Sequence, residues 1–311
     1  MFLSLIYVVG GLAVLVFASD RLVTSAVRIS RRIGISAVLI GAIVVGLGTS
    51  LPELLVSALS AASGDLDIAM ANVVGSNTAN VTLVLGVAAL TAPIVSSLSV
   101  LKREGVLMFL AVAALAVVLF NEVVTRREGV LLILGMVVAV LLLIRWAKDH
   151  DSEVIGAELG EYTADAPAAP VREIALGLGA LVATVLSAQL LLTGAEDIGV
   201  RLGLSATFLG VMLGIGTSLP ELATTLAAVR HGSSDLVIGN VVGSNLFNSL
   251  AVAGAAAVIG PATLVDLSRP EIVFMVIAVA VAGGFALAGR IQRLGGSVLL
   301  GGFVVLMLLS Q

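Results

Sequence analysis

Glu53 and Glu221 are the residues on which a chemistry can be built, because each stands in the same phrase. One reads Gly48-Thr49-Ser50-Leu51-Pro52-Glu53-Leu54, the other Gly216-Thr217-Ser218-Leu219-Pro220-Glu221-Leu222. A second phrase follows each: Gly75-Ser76-Asn77-Thr78-Ala79-Asn80 and Gly243-Ser244-Asn245-Leu246-Phe247-Asn248. From Gly48 to Asn80 is 32 steps, as from Gly216 to Asn248, and 16 of the 33 positions are identical. Helical spacing puts Thr49, Glu53 and Ser57 on one face, matched by Thr217, Glu221 and Thr225. Asn72, Ser76 and Asn80 form a second stripe, matched by Asn240, Ser244 and Asn248. Carboxylate, amide and hydroxyl oxygens, without thiolate or imidazole, are the ligand set of hard cations.

The prolines extend that set. A helical proline lacks an N–H, so Pro52 leaves the carbonyl of Gly48 without its donor, and Pro220 that of Gly216. Gly46 and Gly48, with Gly214 and Gly216, ease local unwinding. Each half-helix ending at such a break also presents the negative end of its dipole. Two facing carboxylates carry a charge of −2, which one Ca²⁺ or two Na⁺ would neutralise. A site with both fillings can exchange one for the other.

Composition says where these groups sit. Of the 311 residues 59% are hydrophobic and only 12% charged, against about 25% charged in soluble domains, and mean hydropathy is +1.18. The chain reads as a polytopic, all-α membrane protein, in which an intramembrane ionisable side chain costs roughly 2.5–3.5 kcal/mol or more. A net charge of −4 implies no nucleic-acid partner. With no cysteine there is no disulfide or thiolate site, and the two histidines, His150 and His231, sit beside polar loop residues. Nothing points to an enzyme or to a cofactor. The first charge is Asp20, so the N-terminus reads as a span and not as a signal peptide.

Apolar stretches predict ten spans, near 3–28, 36–62, 67–92, 103–121, 129–147, 173–200, 205–229, 236–260, 270–289 and 294–310. The polar, Ala- and Pro-containing segment 148–172 reads as a cytoplasmic linker between a first half, 1–147, and a second, 173–311. The repeated motif regions cover 41–86 and 209–254. With the N-terminus outside, the inward loops collect Arg21, Arg28, Arg31, Arg32, Lys102, Arg103, Arg145, Lys148, Arg172, Arg230, Arg290 and Arg293. The outward loops hold only Arg126, Arg127, Arg201 and Arg269. That asymmetry places both termini outside the cell membrane. An odd number of spans per half makes the halves enter from opposite sides, giving two inverted five-helix repeats.

Other polar residues have plainer expected roles. Asp67 and Asp235 stand at span starts, as helix caps do. Asp20, Glu196 and Asp197 fall near span ends and face water. Arg28, Arg31 and Arg32 fix topology. Gly75 and Gly243 allow close helix packing.

With these motifs the sequence resembles the cation/calcium exchanger superfamily, and within it the prokaryotic sodium/calcium exchangers. The resemblance covers essentially the whole chain. It implies ion ligands at Thr49, Ser50, Glu53, Ser76, Asn80, Thr217, Ser218, Glu221, Ser244 and Asn248, with backbone carbonyls near Gly46 and Gly214. It also implies that the spans ending near Arg28 and Glu196 slide across the rest to alternate access. Some prokaryotic members and the potassium-dependent exchangers have aspartate where this chain has Asn248, whereas potassium-independent animal exchangers are similar to it in having asparagine. The Gly-Asn-x-x-Glu motif of the proton-coupled branch is absent. The expectation is therefore a Ca²⁺/Na⁺ antiporter acting as a monomer in the lipid bilayer. A Ca²⁺/H⁺ or K⁺-dependent antiporter is the alternative, and a cation channel stands further off.

Overall fold

The computed structural model describes residues 1–149, 170–203, 216–265, 267 and 269–309. The first helix, α1 (Phe2–Ile33), ends at Gly34, whose φ of 71° only glycine adopts without strain. Ser36 then accepts the N–H of Leu39 at 3.2 Å and starts α2 (Ala37–Thr49). Ser50 and Pro52 break the span, and α3 (Leu51–Ala62) leaves at 44° to α2. After Gly64 comes α4 (Leu66–Thr91), capped by Asp65 through the N–H of Ile68 at 3.0 Å. The chain continues through β1 (Ile94–Val95), α5 (Leu98–Phe120), β2 (Val123–Val124) and α6 (Arg126–Asp149). It resumes with α7 (Pro170–Arg201), α8 (Leu219–Arg230) and α9 (Ser234–Ile259). It closes with β3 (Ala262–Thr263), α10 (Arg269–Leu287), β4 (Arg290–Ile291) and α11 (Arg293–Leu309).

Seven of these helices are long and apolar enough to cross a membrane singly, and the bent pair α2–α3 makes an eighth candidate. The protein is thus a helical, multi-pass membrane protein. Its only non-helical regular structure among the described residues is two short ribbons, β1 with β4 and β2 with β3, both antiparallel. The helices α4 and α9 are central: 78% and 72% of their apolar windows are buried, against 22–28% for α1, α6 and α7. The large exposed side chains of the outer helices, such as Phe17, Leu131 and Val182, face where lipid would lie.

Small residues let backbones touch. A Cβ on Gly243 would stand 2.1 Å from the carbonyl oxygen of Ala42, and one on Gly239 2.4 Å from that of Val38, so α2 and α9 meet backbone to backbone. Gly11 and Gly194 do the same for α1 and α7, the pair with the most extensive mutual packing. That pair is also tied at both ends. Ser4 donates to Asp197 at one end, and at the other Glu173 accepts from Arg21 at 2.7 Å and Ser25 at 3.1 Å.

Three expectations change or fall outside the described residues. Asp65, not Asp67, caps α4, because Asp67 reaches across to accept the N–H groups of Val265 and Leu267 at 3.0 and 3.1 Å. Most of the linker, the start of the expected seventh span and Gly214 lie outside the described residues. The first helix runs on past Arg28, through Arg31 and Arg32 to Ile33, instead of ending near Arg28.

Candidate cation site

The two breaks put the two glutamates in the first turns of α3 and α8, at the molecule's centre. Both side chains are sealed from solvent, at 0% exposure for Glu53 and 1% for Glu221. They come close enough for their charges to repel each other. Ser50 Oγ donates to Glu221 Oε1 at 2.7 Å, a contact between the two motif copies. Ser218 stands beside Glu53 in the reciprocal place, but its Oγ falls outside hydrogen-bonding geometry and has no partner.

The asparagines arrive on widened turns. In α4 a π-type turn runs over Asn80–Val84, and in α9 another runs over Phe247–Val252 and so carries Asn248. Such turns displace one residue from the regular ladder and recur at functional sites. The packing is crosswise: α3, with Glu53, lies on the turn carrying Asn248, and α8, with Glu221, lies on the turn carrying Asn80. Four of the elements that carry the motif thus meet as two interlocked pairs.

What marks this centre is unmet hydrogen-bonding capacity. Both carboxylate oxygens of Glu53, Oε2 of Glu221, the hydroxyls of Ser76 and Ser218, and both side-chain polar atoms of Asn80 and Asn248 are buried without a partner. Each such group costs roughly 1–3 kcal/mol when left unmet, more if charged. A cluster of them is tolerated where a ligand completes it. No three of His, Cys, Asp and Glu cluster among the described residues, so any cation here would be held by two carboxylates and by neutral oxygens.

The remaining expected ligands are partly committed. Thr49 donates to the carbonyls of Val45 at 3.0 Å and Gly46 at 3.4 Å, and Ser244 donates to Gly46 at 3.2 Å. A hydroxyl that donates its hydrogen keeps its lone pairs for a cation, so neither residue is disqualified. The carbonyl of Gly46 also accepts the N–H of Ser50 at 3.3 Å, which leaves it crowded. Thr217 is buried just before α8.

Other motif residues act as struts. Asn72 donates to the backbone carbonyl of Glu53 at 3.3 Å and to Ser57 at 3.0 Å. Asn240 does the same for Glu221 at 3.2 Å and Thr225 at 2.9 Å. Each therefore pins the glutamate-bearing turn to the next helix. A strut that spacing does not reveal is Asn77, which donates across the two halves to Ser249 at 3.0 Å. The only sequence signal for Asn77 is its identity with Asn245 in the second copy. The motif glycines also have a packing reason: a Cβ on Gly48 would meet Leu181, and one on Gly216 Leu192, both on α7.

Fold and centre together define a helical, multi-pass membrane protein whose buried polar core is made from two copies of one motif. The chain belongs to the sodium/calcium exchanger protein family, whose model matches residues 3–145 and 173–310. It is an exchanger family and not a family of enzymes. The chain is similar to the putative antiporter CaxA of Alkalimonas amylolytica, 37% identical over 98% of this chain and 97% of that protein. It is also similar to the sodium/calcium exchanger MaX1 of Methanosarcina acetivorans, 31% identical over 83% of each. Among solved structures, the sodium-calcium exchanger NCX_Mj soaked with Na⁺ and Sr²⁺ superposes with a TM-score of 0.86 at 26% identity. That likeness covers 98% of this chain and 97% of that one.

Proposed function

We propose that this protein is an antiporter that moves Ca²⁺ one way and Na⁺ the other by alternating access, with the ions bound between Glu53 and Glu221. The observation that carries this reading is the sealed centre in which the two carboxylates lie within electrostatic reach of each other among unpartnered amides and hydroxyls. Glu53 and Glu221 supply the charge. Asn80, Asn248, Ser76 and Ser218 supply neutral oxygens, and Ser50, Thr49, Thr217 and Ser244 complete the shell. Calcium accepts 6–8 oxygens in flexible geometry, a requirement that a wall of small oxygen donors meets. A neutralised site lets the protein occlude it, whereas an empty site of charge −2 resists leaving water.

The proposed frame is ten spans in two inverted repeats, 1–147 and 173–311, joined by a cytoplasmic linker over 148–172. The ribbons support it. Within a half, one crossing helix separates the loop after its third span from the loop after its fourth. Across halves, β1 after α4 pairs with β4 after α10, and β2 after α5 pairs with β3 after α9. Such partners share a membrane face only if the halves run in opposite senses. The same reading sets both termini outside a cell membrane, in line with the loop charges.

Purified protein in liposomes, given Na⁺ and pH gradients separately, tests the proposal through ⁴⁵Ca²⁺ uptake. Uptake driven by the Na⁺ gradient alone is expected. Uptake driven by the pH gradient alone would replace Na⁺ with H⁺ as the counter-ion, and uptake indifferent to both gradients would make the protein a channel.

A further inference from the structure

A groove of about 280 Å³ lies on the flank of the molecule, lined from α4, α5, α9 and α10. Its floor is buried, with Met108, Ile238, Val242 and Ile291 all below 10% exposure. Its rim is open, with Val106 at 48% and Leu287 at 61%. Glycines create the space. A Cβ on Gly283 or Gly284 would meet nothing within 4 Å, and one on Gly105 would meet only Leu101 at 3.7 Å.

Protein interiors are close-packed, and an apolar hollow forfeits the dispersion contacts that its walls would otherwise make. Water does not fill such a space, because it offers no polar partners. On a membrane-embedded flank the neighbouring substance is hydrocarbon, so an acyl chain is the natural filling.

Charge at one end adds a preference. Lys102 is exposed in the π-type turn over Leu101–Gly105, whose two end residues both line the groove. Arg290 and Arg293 are exposed beside Ile291, which closes the same wall. Nη1 of Arg103, in the turn that carries Lys102, is buried without a partner. Of the acids near this edge, Glu104 is buried next to Arg103 and within electrostatic reach of the half-buried Asp235. Cations therefore stand at the mouth, where a lipid phosphate would be.

We infer that this groove binds an anionic phospholipid, with one acyl chain in the hollow and the phosphate held by Lys102 and Arg290. The inference rests on the membrane-spanning fold and not on which ions are exchanged. The groove also backs the candidate cation site. Val81 follows Asn80 directly, and Val241 and Val242 lie between Asn240 and Ser244. A bound chain would thus buttress the helices that carry the cage.

Native mass spectrometry of the detergent-purified full chain, offered equal phosphatidylglycerol and phosphatidylcholine of identical chains, provides the test. The wild type is expected to retain phosphatidylglycerol preferentially, by about fivefold for each cation engaged. Gly283→Leu and Gly105→Leu, each filling open space, should both lose most of the retained lipid while keeping the wild-type melting temperature. Lys102→Gln with Arg290→Gln should keep lipid but lose the preference. Equal retention of the two lipids by the wild type, or undiminished lipid in both leucine variants, would overturn the proposal.

Discussion

Ser50 Oγ donates to Glu221 Oε1 at 2.7 Å across 171 residues of sequence. A hydroxyl on a carboxylate is a charge-assisted bond, worth roughly twice a neutral one. It holds one oxygen of Glu221, while neither oxygen of Glu53 has a partner. The two motif copies are thus unequal at their meeting point. One glutamate is held by the opposite half, and the other depends on whatever enters the site.

Charge removal tests the centre directly. Glu53→Gln and Glu221→Gln keep the shape of the side chain but leave a site of charge −1, which one Ca²⁺ overfills. Loss of one partner from a buried charged cluster costs roughly 3–5 kcal/mol, so Na⁺-driven ⁴⁵Ca²⁺ uptake should fall by about two to four orders of magnitude. Without ions Glu53→Gln should melt above the wild type, because a buried charge with no hydrogen-bond partner on either oxygen has gone. Normal uptake in either variant would remove the glutamates from the transport site.

The unequal serines give a finer test. Ser50→Ala strips a donor from a buried carboxylate and should lower ion-free stability by roughly 1–3 kcal/mol. Ser218→Ala removes a hydroxyl that has no hydrogen-bond partner, and its ion-free melting temperature should hardly move. Both should weaken Ca²⁺ half-saturation if both hydroxyls are ligands. Equal melting shifts for the two variants would contradict the asymmetry.

Packing between α2 and α9 leaves no room for a methyl group. Gly243→Ala would press a Cβ to 2.1 Å from the carbonyl oxygen of Ala42, with backbone on both sides and nothing flexible to yield. Overpacking of this kind costs roughly 1–3 kcal/mol or more, and it would shift the turns that carry Asn248 and Ser244. A marked drop in melting temperature is expected, whereas Gly10→Ala, with nothing within 4 Å, serves as the silent control.

The residues of the centre were legible in the sequence because the chain states them twice. A duplicated glutamate after a helix-breaking proline survives any scrambling of apolar neighbours, and helical spacing then supplies the stripes. Spacing could not say that Asn72 faces a backbone carbonyl instead of the cavity, because that depends on the 44° bend between α2 and α3, nor that Asn240 does the same at Glu221. Nor could it foresee that Asp67 ties down the loop at Val265 while Asp65 takes the cap, since the two are only two residues apart in sequence and equally suited. Contacts such as Asn77 with Ser249, or the ribbons, join segments far apart in sequence and leave no periodic trace. The widened turns at Asn80 and Asn248 are also silent in composition, because a π-type turn needs only one inserted residue.

The pairing of α1 with α7 makes a prediction about motion. Backbone contacts at Gly11 and Gly194 and polar ties at both ends bind the two helices to each other. Toward the remainder, His231 at the end of α8 holds Asp20 of α1 at 2.9 Å. If access alternates by sliding this pair as one body, links within the pair are harmless and links from pair to core are not. The chain has no cysteine, so pairs can be introduced on a clean background. Bridging Ser4→Cys to Asp197→Cys with a short bifunctional thiol reagent should leave Na⁺-driven Ca²⁺ uptake largely intact. Bridging Asp20→Cys to His231→Cys should stop it, and reduction should restore it. The unbridged Asp20→Cys/His231→Cys protein separates arrest from simple loss of the ion pair, because an exposed pair of this kind contributes only about 0–1 kcal/mol. Unchanged uptake after complete bridging of that second pair would mean that α1 stays fixed to α8 during transport.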